Sequence, residues 1–456
     1  MNNNITGGVI WKQLLLFFFP IWFGTFFQQL YNTADAVIVG NFVGKGALAA
    51  VGTTAVVQNL LVGFFVGVAS GASVVISQYY GARQGAQVQR AVHTAMAMAL
   101  LGGVGIMLLG LAASRWALSI MNTPADVMED AVLYLRICFL GMVPSLIYNM
   151  GTGILRAVGD SKRPLYFLIC ASLTNIVLDM VLVAILGMGV AGAALATVAS
   201  QCVAAGMTVM SLTHTTACYR FVPAYLQLDK EMVEKIVRIG LPAGLQSVMY
   251  SLSNSVVQTS INSFGTDVVA AYTAYGKIDS IFWMTMNSFG LSITTFVGQN
   301  FGAGQYDRVK KGVRQCALMA FVATGLLMAV TLAFGSALFR LFVQDAPVIG
   351  LGVEILHYVV PFWPTYVLIE ILSGSVRGAG DSLIPMIMTS IGVCVTRILW
   401  VLTVVATVWH TLIGALACYP VSWSLTSLFF LAYYLQGGWL RRRIRVREAA
   451  QTEQPA

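Results

Sequence analysis

Twelve apolar stretches, divided by short polar segments, run the length of the chain. They lie near 12–40, 47–79, 90–112, 131–154, 164–186, 191–213, 240–262, 268–299, 314–342, 352–375, 384–408 and 413–436. A helix of about 20 apolar residues crosses the hydrocarbon core of a bilayer. The pattern therefore predicts an all-α polytopic membrane protein with twelve transmembrane helices. The second and eighth stretches exceed the needed length and are expected to tilt or to extend past the bilayer. No basic cluster precedes the first stretch and no small-residue cleavage site follows it, so it is expected to be a retained helix.

The polar segments give the orientation. The N-terminal segment, the even-numbered loops and the C-terminal tail hold most of the Lys and Arg residues, whereas the odd-numbered loops hold only Lys45, Arg115 and Arg340. Basic loops stay on the cytoplasmic side, so both termini are expected there. The net charge of +8 is a topology signal. The basic run Arg441–Arg447 follows the last apolar stretch and is expected to lie on anionic lipid headgroups, with no nucleic-acid partner.

The chain also repeats itself at a shift of about 221 residues. Residues 76–92, ISQYYGARQGAQVQRAV, match 296–313, FVGQNFGAGQYDRVKKGV. Residues 151–164, GTGILRAVGDSKRP, match 372–385, LSGSVRGAGDSLIP, and Pro20 matches Pro242. Each half holds six spans, an even number, so both insert the same way up. Parallel repeats of this kind are a transporter architecture. The expected organisation is an N-terminal six-helix lobe (1–213), a linker (214–239), a C-terminal six-helix lobe (240–438) and a basic tail (439–456). Asp229–Ile239 reads as a short amphipathic helix capped by Asp229. The Arg156–Asp160 and Arg377–Asp381 motifs are expected to form turns closed by Arg–Asp pairs.

Composition agrees with the membrane reading: 58% of residues are hydrophobic and 10% charged, and mean hydropathy is +0.79. The seven cysteines have no CxxC spacing and read as small buried hydrophobes. The four histidines are scattered, with no HExxH, and there is no Walker motif. An enzyme and an ATP-driven pump are therefore not indicated, and no cofactor is expected.

A carboxylate inside a spanning helix costs roughly 2.5–3.5 kcal/mol on insertion scales and marks a functional position. Asp35 lies about five residues before the outer end of the first span and Asp179 about seven before that of the fifth, which places them at similar depth. Asn175 is one turn from Asp179 on the same face. Two carboxylates in a low-dielectric cleft cannot both ionise without cost, which suits a proton site. The same oxygens, with Asn175, suit sodium. The repeat does not reproduce this pair. Asp35 aligns with Val256 or Val257, Asn175 with Thr396 or Arg397, and Asp179 with Trp400 or Val401. A single cation site in the N-terminal lobe is the simpler expectation. The second half has its own intramembrane charges in Lys277, Asp279, Glu370 and Arg397. Lys277 and Asp279 face different sides of a helix and are expected to pair elsewhere. Glu370 is expected to contact a cationic substrate or to pair with Arg397.

Pro20 to Gly40 (P…YNTAD…VG), the QYYGARQ and GQNFGAGQ loops, and LRAVGDSKRP with VRGAGDSLIP together resemble the multidrug and toxic compound extrusion (MATE) family, and its DinF-like subgroup in particular. The resemblance covers roughly residues 8–440. It implies two six-helix lobes around a central cleft, and export of cationic or amphipathic compounds in exchange for H⁺ or Na⁺. Asp35 matches the acidic residue of the first-helix motif, and Asn175 and Asp179 match the second acidic position. Gln28, Gln29, Tyr31, Gln246, Tyr250 and Asn254 are expected to line the cleft, with the tyrosines holding an organic cation by cation–π attraction. A monomer in a bacterial inner membrane is the expected state. A flippase for a lipid or lipid-linked saccharide is the alternative within transport.

Overall fold

The computed structural model describes residues 5–43, 45–121 and 123–452; within 44–59 and 446–452 some side chains, Lys45 and Arg447 among them, are outside the described set, as are tail residues 453–456. All regular elements among the described residues are helical. The described chain divides into two compact units, 16–244 and 5–15 with 245–452.

The first unit holds α1 (Ile10–Phe42, from residue 16), α2 (Lys45–Gly81), α3 (Gly85–Ile120), α4 (Ala125–Leu140), α5 (Met142–Ala157), α6 (Lys162–Asp179), α7 (Gly189–Thr213) and the start of α8 (Lys230–Asn262). The second holds the rest of α8, then α9 (Thr266–Gly302), α10 (Tyr306–Ala333), α11 (Gly335–Arg340), α12 (Ala346–Val359), α13 (Trp363–Gly378), α14 (Leu383–Thr389), α15 (Thr396–Trp400), α16 (Leu412–Leu416), α17 (Cys418–Leu435) and α18 (Gly438–Thr452). Among the described residues nine helical stretches are long and apolar enough to cross a membrane, and the α4–α5 pair, bent by 47°, makes a tenth. The 33-residue α8 and 37-residue α9 stand at the seventh and eighth expected spans, and they are long enough to cross but fall short in apolarity. They are less apolar because they carry the polar side chains of the second unit, from Gln246 to Asn254 and from Tyr272 to Trp283.

One expected boundary shifts, and one expectation about burial changes. The Asp229–Ile239 segment is not a separate helix but the first turns of α8. Asp229 does cap it, since its carboxylate accepts from Met232 N at 3.2 Å. The Arg90 guanidinium donates to the same carboxylate (Nε 2.9 Å) and holds it below the usual carboxylate range. Among the cysteines, Cys138, Cys316, Cys394 and Cys418 are buried as expected, but Cys170, Cys202 and Cys218 are exposed, and all seven are free.

Without water to drive apolar surfaces together, membrane helices gain from close backbone approach at small residues. In the first unit a Cβ on Gly67 would collide with Gly244 N, and one on Gly71 would come within 2.5 Å of Gly240 N. In the second unit a Cβ on Gly374 would lie 3.0 Å from Gly290 O, and one on Gly378 2.6 Å from Thr294 O. The repeat-related contact of α2 with α5 is looser, with Gly153 3.4 Å from Ala69 O on the same construction. Arg308 ties the N-terminal segment into the second unit, donating to Gly8 O at 2.9 Å and Gly7 O at 2.8 Å.

The repeated loops fold alike. After α5, Gly159 (φ 93°) donates to Arg156 O and Asp160 N to Leu155 O; after α13, Gly380 (φ 93°) donates to Arg377 O and Asp381 N to Val376 O. These left-handed caps explain the shared glycine. The expected Arg156–Asp160 and Arg377–Asp381 pairs do not form. Asp160 pairs with Arg163 (3.2 Å) and Asp381 with Arg443 (3.3 Å), because each capped turn aims its carboxylate forward, toward the N-terminus of the next helix.

The α2–α3 and α9–α10 turns also correspond, with Gly304 at φ 73° in one and Arg83 at φ 59° in the other. A side chain in this left-handed region costs roughly 1–2 kcal/mol, which glycine avoids. Nothing lies within 4 Å of a Cβ built on Gly304, so only backbone strain is at stake there. Gly304→Ala is expected to lower stability by about 1 kcal/mol, whereas Arg83→Gly is expected to leave it unchanged or raise it. Thermal unfolding of the detergent-solubilised protein checks both; an unchanged midpoint for Gly304→Ala would contradict the turn.

Candidate functional site

α1 and α6 bring Asp35, Asn175 and Asp179 together in the first unit. Asp179 is the last residue of α6, and a single π-helical stretch, Met180–Ile185, follows at once. Such π-bulges widen a helix locally and recur at functional sites. α4 adds Tyr134 and Cys138, and α2 adds Gln58, which approaches the Cys138 thiol. Ile38, Val39, Val183, Val190, Ala193 and Ala194 pack with them as an apolar wall.

The Asp35 and Asp179 carboxyls lie close enough to act on each other. As carboxylates neither carries a donor. Asp35 Oδ1, both Asp179 oxygens and both amide atoms of Asn175 are buried without a protein partner among the described residues. Asp179 is 0% and Asn175 1% exposed. Unpaired buried charge is costly, so the cluster calls for a cation. A single proton lets one carboxyl donate to the other. A hard cation such as sodium is matched by the same oxygens. Tyr134 sits within electrostatic range of both acids. Sequence reasoning missed Tyr134, Cys138 and Gln58, because a tyrosine, a cysteine and a glutamine in apolar runs carry no distinguishing signal.

The expected cleft residues of the first unit divide. Tyr31 is half-buried beside Gln28 and within range of Asp35. Gln28 and Gln29 are exposed, and Gln29 accepts from Asn32 Nδ2 at 3.4 Å.

In the second unit the predicted residues are held by internal partners. Gln246 Nε2 donates to Thr389 Oγ1 (3.2 Å), and its oxygen accepts from Arg377 (3.4 Å). Tyr250 and Tyr366 hydroxyls meet at 3.4 Å, and Tyr366 donates to Glu370 at 3.3 Å. Asn254 Oδ1 accepts from Arg397 Nη1 at 2.9 Å. Arg397 is 1% exposed. Its Nε donates to Ser422 (3.1 Å), and its guanidinium lies 4.5 Å from the centre of the Tyr419 ring. Stretches of π-helix, Ser390–Val395 and Val401–Val405, flank it on both sides.

Three expectations about these charges change. Glu370 does not pair with Arg397; it packs against Gly290, the one residue type that leaves it room. Asp279 forms no ion pair among the described residues; it accepts from Trp283 Nε1 at 2.6 Å, with Arg397 within electrostatic range. Lys277 is exposed and forms no ion pair among the described residues.

The MatE family pattern matches the chain twice, over residues 20–181 and 242–403. The two matches start on Pro20 and Pro242, a shift of 222 that sets Arg397 against Asn175, whereas the shift of 221 at the repeated turns sets Thr396 there. The probable multidrug resistance protein YoeA of Bacillus subtilis (strain 168) is 28% identical over 448 residues, 95% of either chain. The probable multidrug resistance protein YpnP of the same organism is 28% identical over 439 residues, covering 96% of this chain and 97% of its own. A solved outward-facing multidrug resistance MATE family transporter superposes with a TM-score of 0.90 at 23% identity, covering 97% of this chain and 99% of that one.

The geometry makes a stability prediction independent of any transport. The amide of Asp179→Asn donates a hydrogen bond to Asp35 and removes one of two facing charges. This variant is expected to be more stable than wild type at pH 8, by about 1–3 kcal/mol. The gain is expected to shrink in acid, where protonation does the same work. Thermal unfolding across pH measures it, and a loss of stability at pH 8 would contradict the facing arrangement.

Proposed function

Because the chain belongs to the MatE family, whose matched relatives are named multidrug resistance proteins, we propose that it is a multidrug efflux antiporter that exports cationic or amphipathic compounds in exchange for H⁺ or Na⁺. It is a multi-pass membrane transporter and not an enzyme. The flippase reading has no support among these relatives. Both termini lie on the cytoplasmic side of the bacterial inner membrane, as the distribution of Lys and Arg argues, and the working unit is a monomer.

One observation carries the coupling assignment. Among the described residues no basic side chain acts on the Asp35 and Asp179 carboxyls, whereas the buried Asp279 of the second unit lies within electrostatic range of the buried Arg397. The facing acids of the first unit are left to take their cation from solution. Asp35 and Asp179 bind the coupling ion, and Asn175 offers it a further oxygen. Binding there drives transport only because ion and substrate favour different conformations. Among the expected cleft residues, Tyr31 is the contact nearest the ion site. Gln28, Gln29, Gln246, Tyr250, Asn254 and Glu370 remain the proposed contacts of the substrate.

Efflux of a fluorescent organic cation from proteoliposomes tests this. A pH gradient without sodium and a sodium gradient without a pH gradient identify the ion. Asp35→Asn and Asp179→Asn are expected to lose gradient-driven flux at least tenfold. Glu370→Gln is expected to keep gradient coupling and to alter apparent substrate affinity. Coupling that survives Asp35→Asn but fails in Glu370→Gln would move the ion site to the second unit.

A further inference from the structure

α18 is not a free basic tail. Trp439 and Leu440 are each 3% exposed, and Trp439 stacks on Tyr434 at 5.5 Å. Arg443 pairs at 3.3 Å with Asp381, a carboxylate with only 10% of its side chain exposed. These contacts hold the helix against the α13–α14 turn and the end of α17. Rotation along the helix then carries Arg441, Arg442 and Arg445 to one cavity of about 500 Å³, completed by Ile384, Tyr433 and Gly438.

The cavity has a clear charge preference. Its three guanidiniums form no ion pair among the described residues, and the acid of the adjoining turn is already taken by Arg443. Arg441 and Arg445 are one turn apart, where like charges repel. Convergent guanidiniums present paired N–H donors that fit phosphate oxygens. Gly438 adds the N-terminal end of a 15-residue helix, where backbone N–H groups also favour an anion. Ile384 gives one apolar wall. The cavity opens beside α17, the last apolar helix of the sequence, which ends at Leu435. This is the level at which a bilayer presents its headgroups.

We propose that the α14–α17–α18 cavity binds the phosphate of one anionic phospholipid headgroup through Arg441, Arg442 and Arg445. The site is separate from the transport cluster and does not depend on what the protein exports. It differs from diffuse attraction of a basic tail in being saturable, in taking one lipid per chain, and in depending on three named arginines rather than on net charge.

The test uses the full chain in neutral detergent. Short-chain phosphatidylglycerol, short-chain phosphatidylcholine, glycerol phosphate and inorganic phosphate are titrated separately, with thermal midpoint and native mass spectrometry as readouts. Phosphatidylglycerol is expected to raise the midpoint saturably, with one lipid retained per chain, and phosphatidylcholine to do neither. The triple variant Arg441→Gln, Arg442→Gln, Arg445→Gln is expected to weaken this binding at least tenfold, and Arg442→Gln alone to weaken it by less. A charge-matched control, Lys162→Gln, Lys310→Gln, Lys311→Gln, is expected to bind as wild type does. Equal loss in the control would reduce the effect to net charge and overturn the site. Protection by glycerol phosphate or inorganic phosphate equal to that by the lipid would make the ligand a soluble phosphate and overturn the lipid assignment. A folded triple variant that binds phosphatidylglycerol as tightly as wild type would remove the arginines from the site.

Discussion

A charge buried in a membrane protein must be matched by another charge, by a proton or by an ion, and this requirement organises the molecule. Backbone polarity is satisfied within helices, so the remaining electrostatic freedom lies in a few side chains. In the first unit two carboxyls and an amide face one another with their oxygens unmatched. In the second a guanidinium is buried among Ser422, Asn254 and the Tyr419 ring. The first arrangement is neutral only when it holds something from outside. The second has its cation covalently attached.

The register of the repeat gives this contrast its meaning. Arg397 falls at the place of Asn175 or one residue past it, and both lie on helices interrupted by π-helical stretches. A π stretch turns the following side chains relative to a regular helix and leaves backbone groups less tightly paired. That geometry suits a buried polar side chain of either sign. The duplicated backbone therefore supplied two equivalent positions, and the residues placed in them gave the units opposite polarity.

Much of this was legible in the chain itself. Apolar run length announced the helices, and the repeated GD turns predicted where they end, since a left-handed cap at Gly159 or Gly380 tolerates little else. Asp35, Asn175 and Asp179 stood out because charge in an apolar run is rare. What could not be read were partners. Nothing local in VRGAGD says that Asp381 meets Arg443 of a distant tail rather than the neighbouring Arg377. Tyr134 and Cys138 are ordinary residues of an apolar helix until packing sets them beside the acids. The bend between α4 and α5 also went unseen, because Gly141 and Pro144 sit in an apolar segment whose hydropathy does not change across the break.

Pairing choices at the two repeated turns show how a duplicated fold acquires different duties. Asp160 is matched locally by Arg163, three residues on, at the start of its own helix. At the equivalent position Ile384 follows where a basic residue would be, so Asp381 is left for a partner from elsewhere. One substitution in the repeat thus frees a carboxylate, the carboxylate anchors α18, and the anchored helix turns three further arginines toward a single cavity. The contrast between the unpartnered carboxyls of the first unit and the buried guanidinium of the second has the same logic: what stands at one copy of a shared position decides which polar groups are left unmatched.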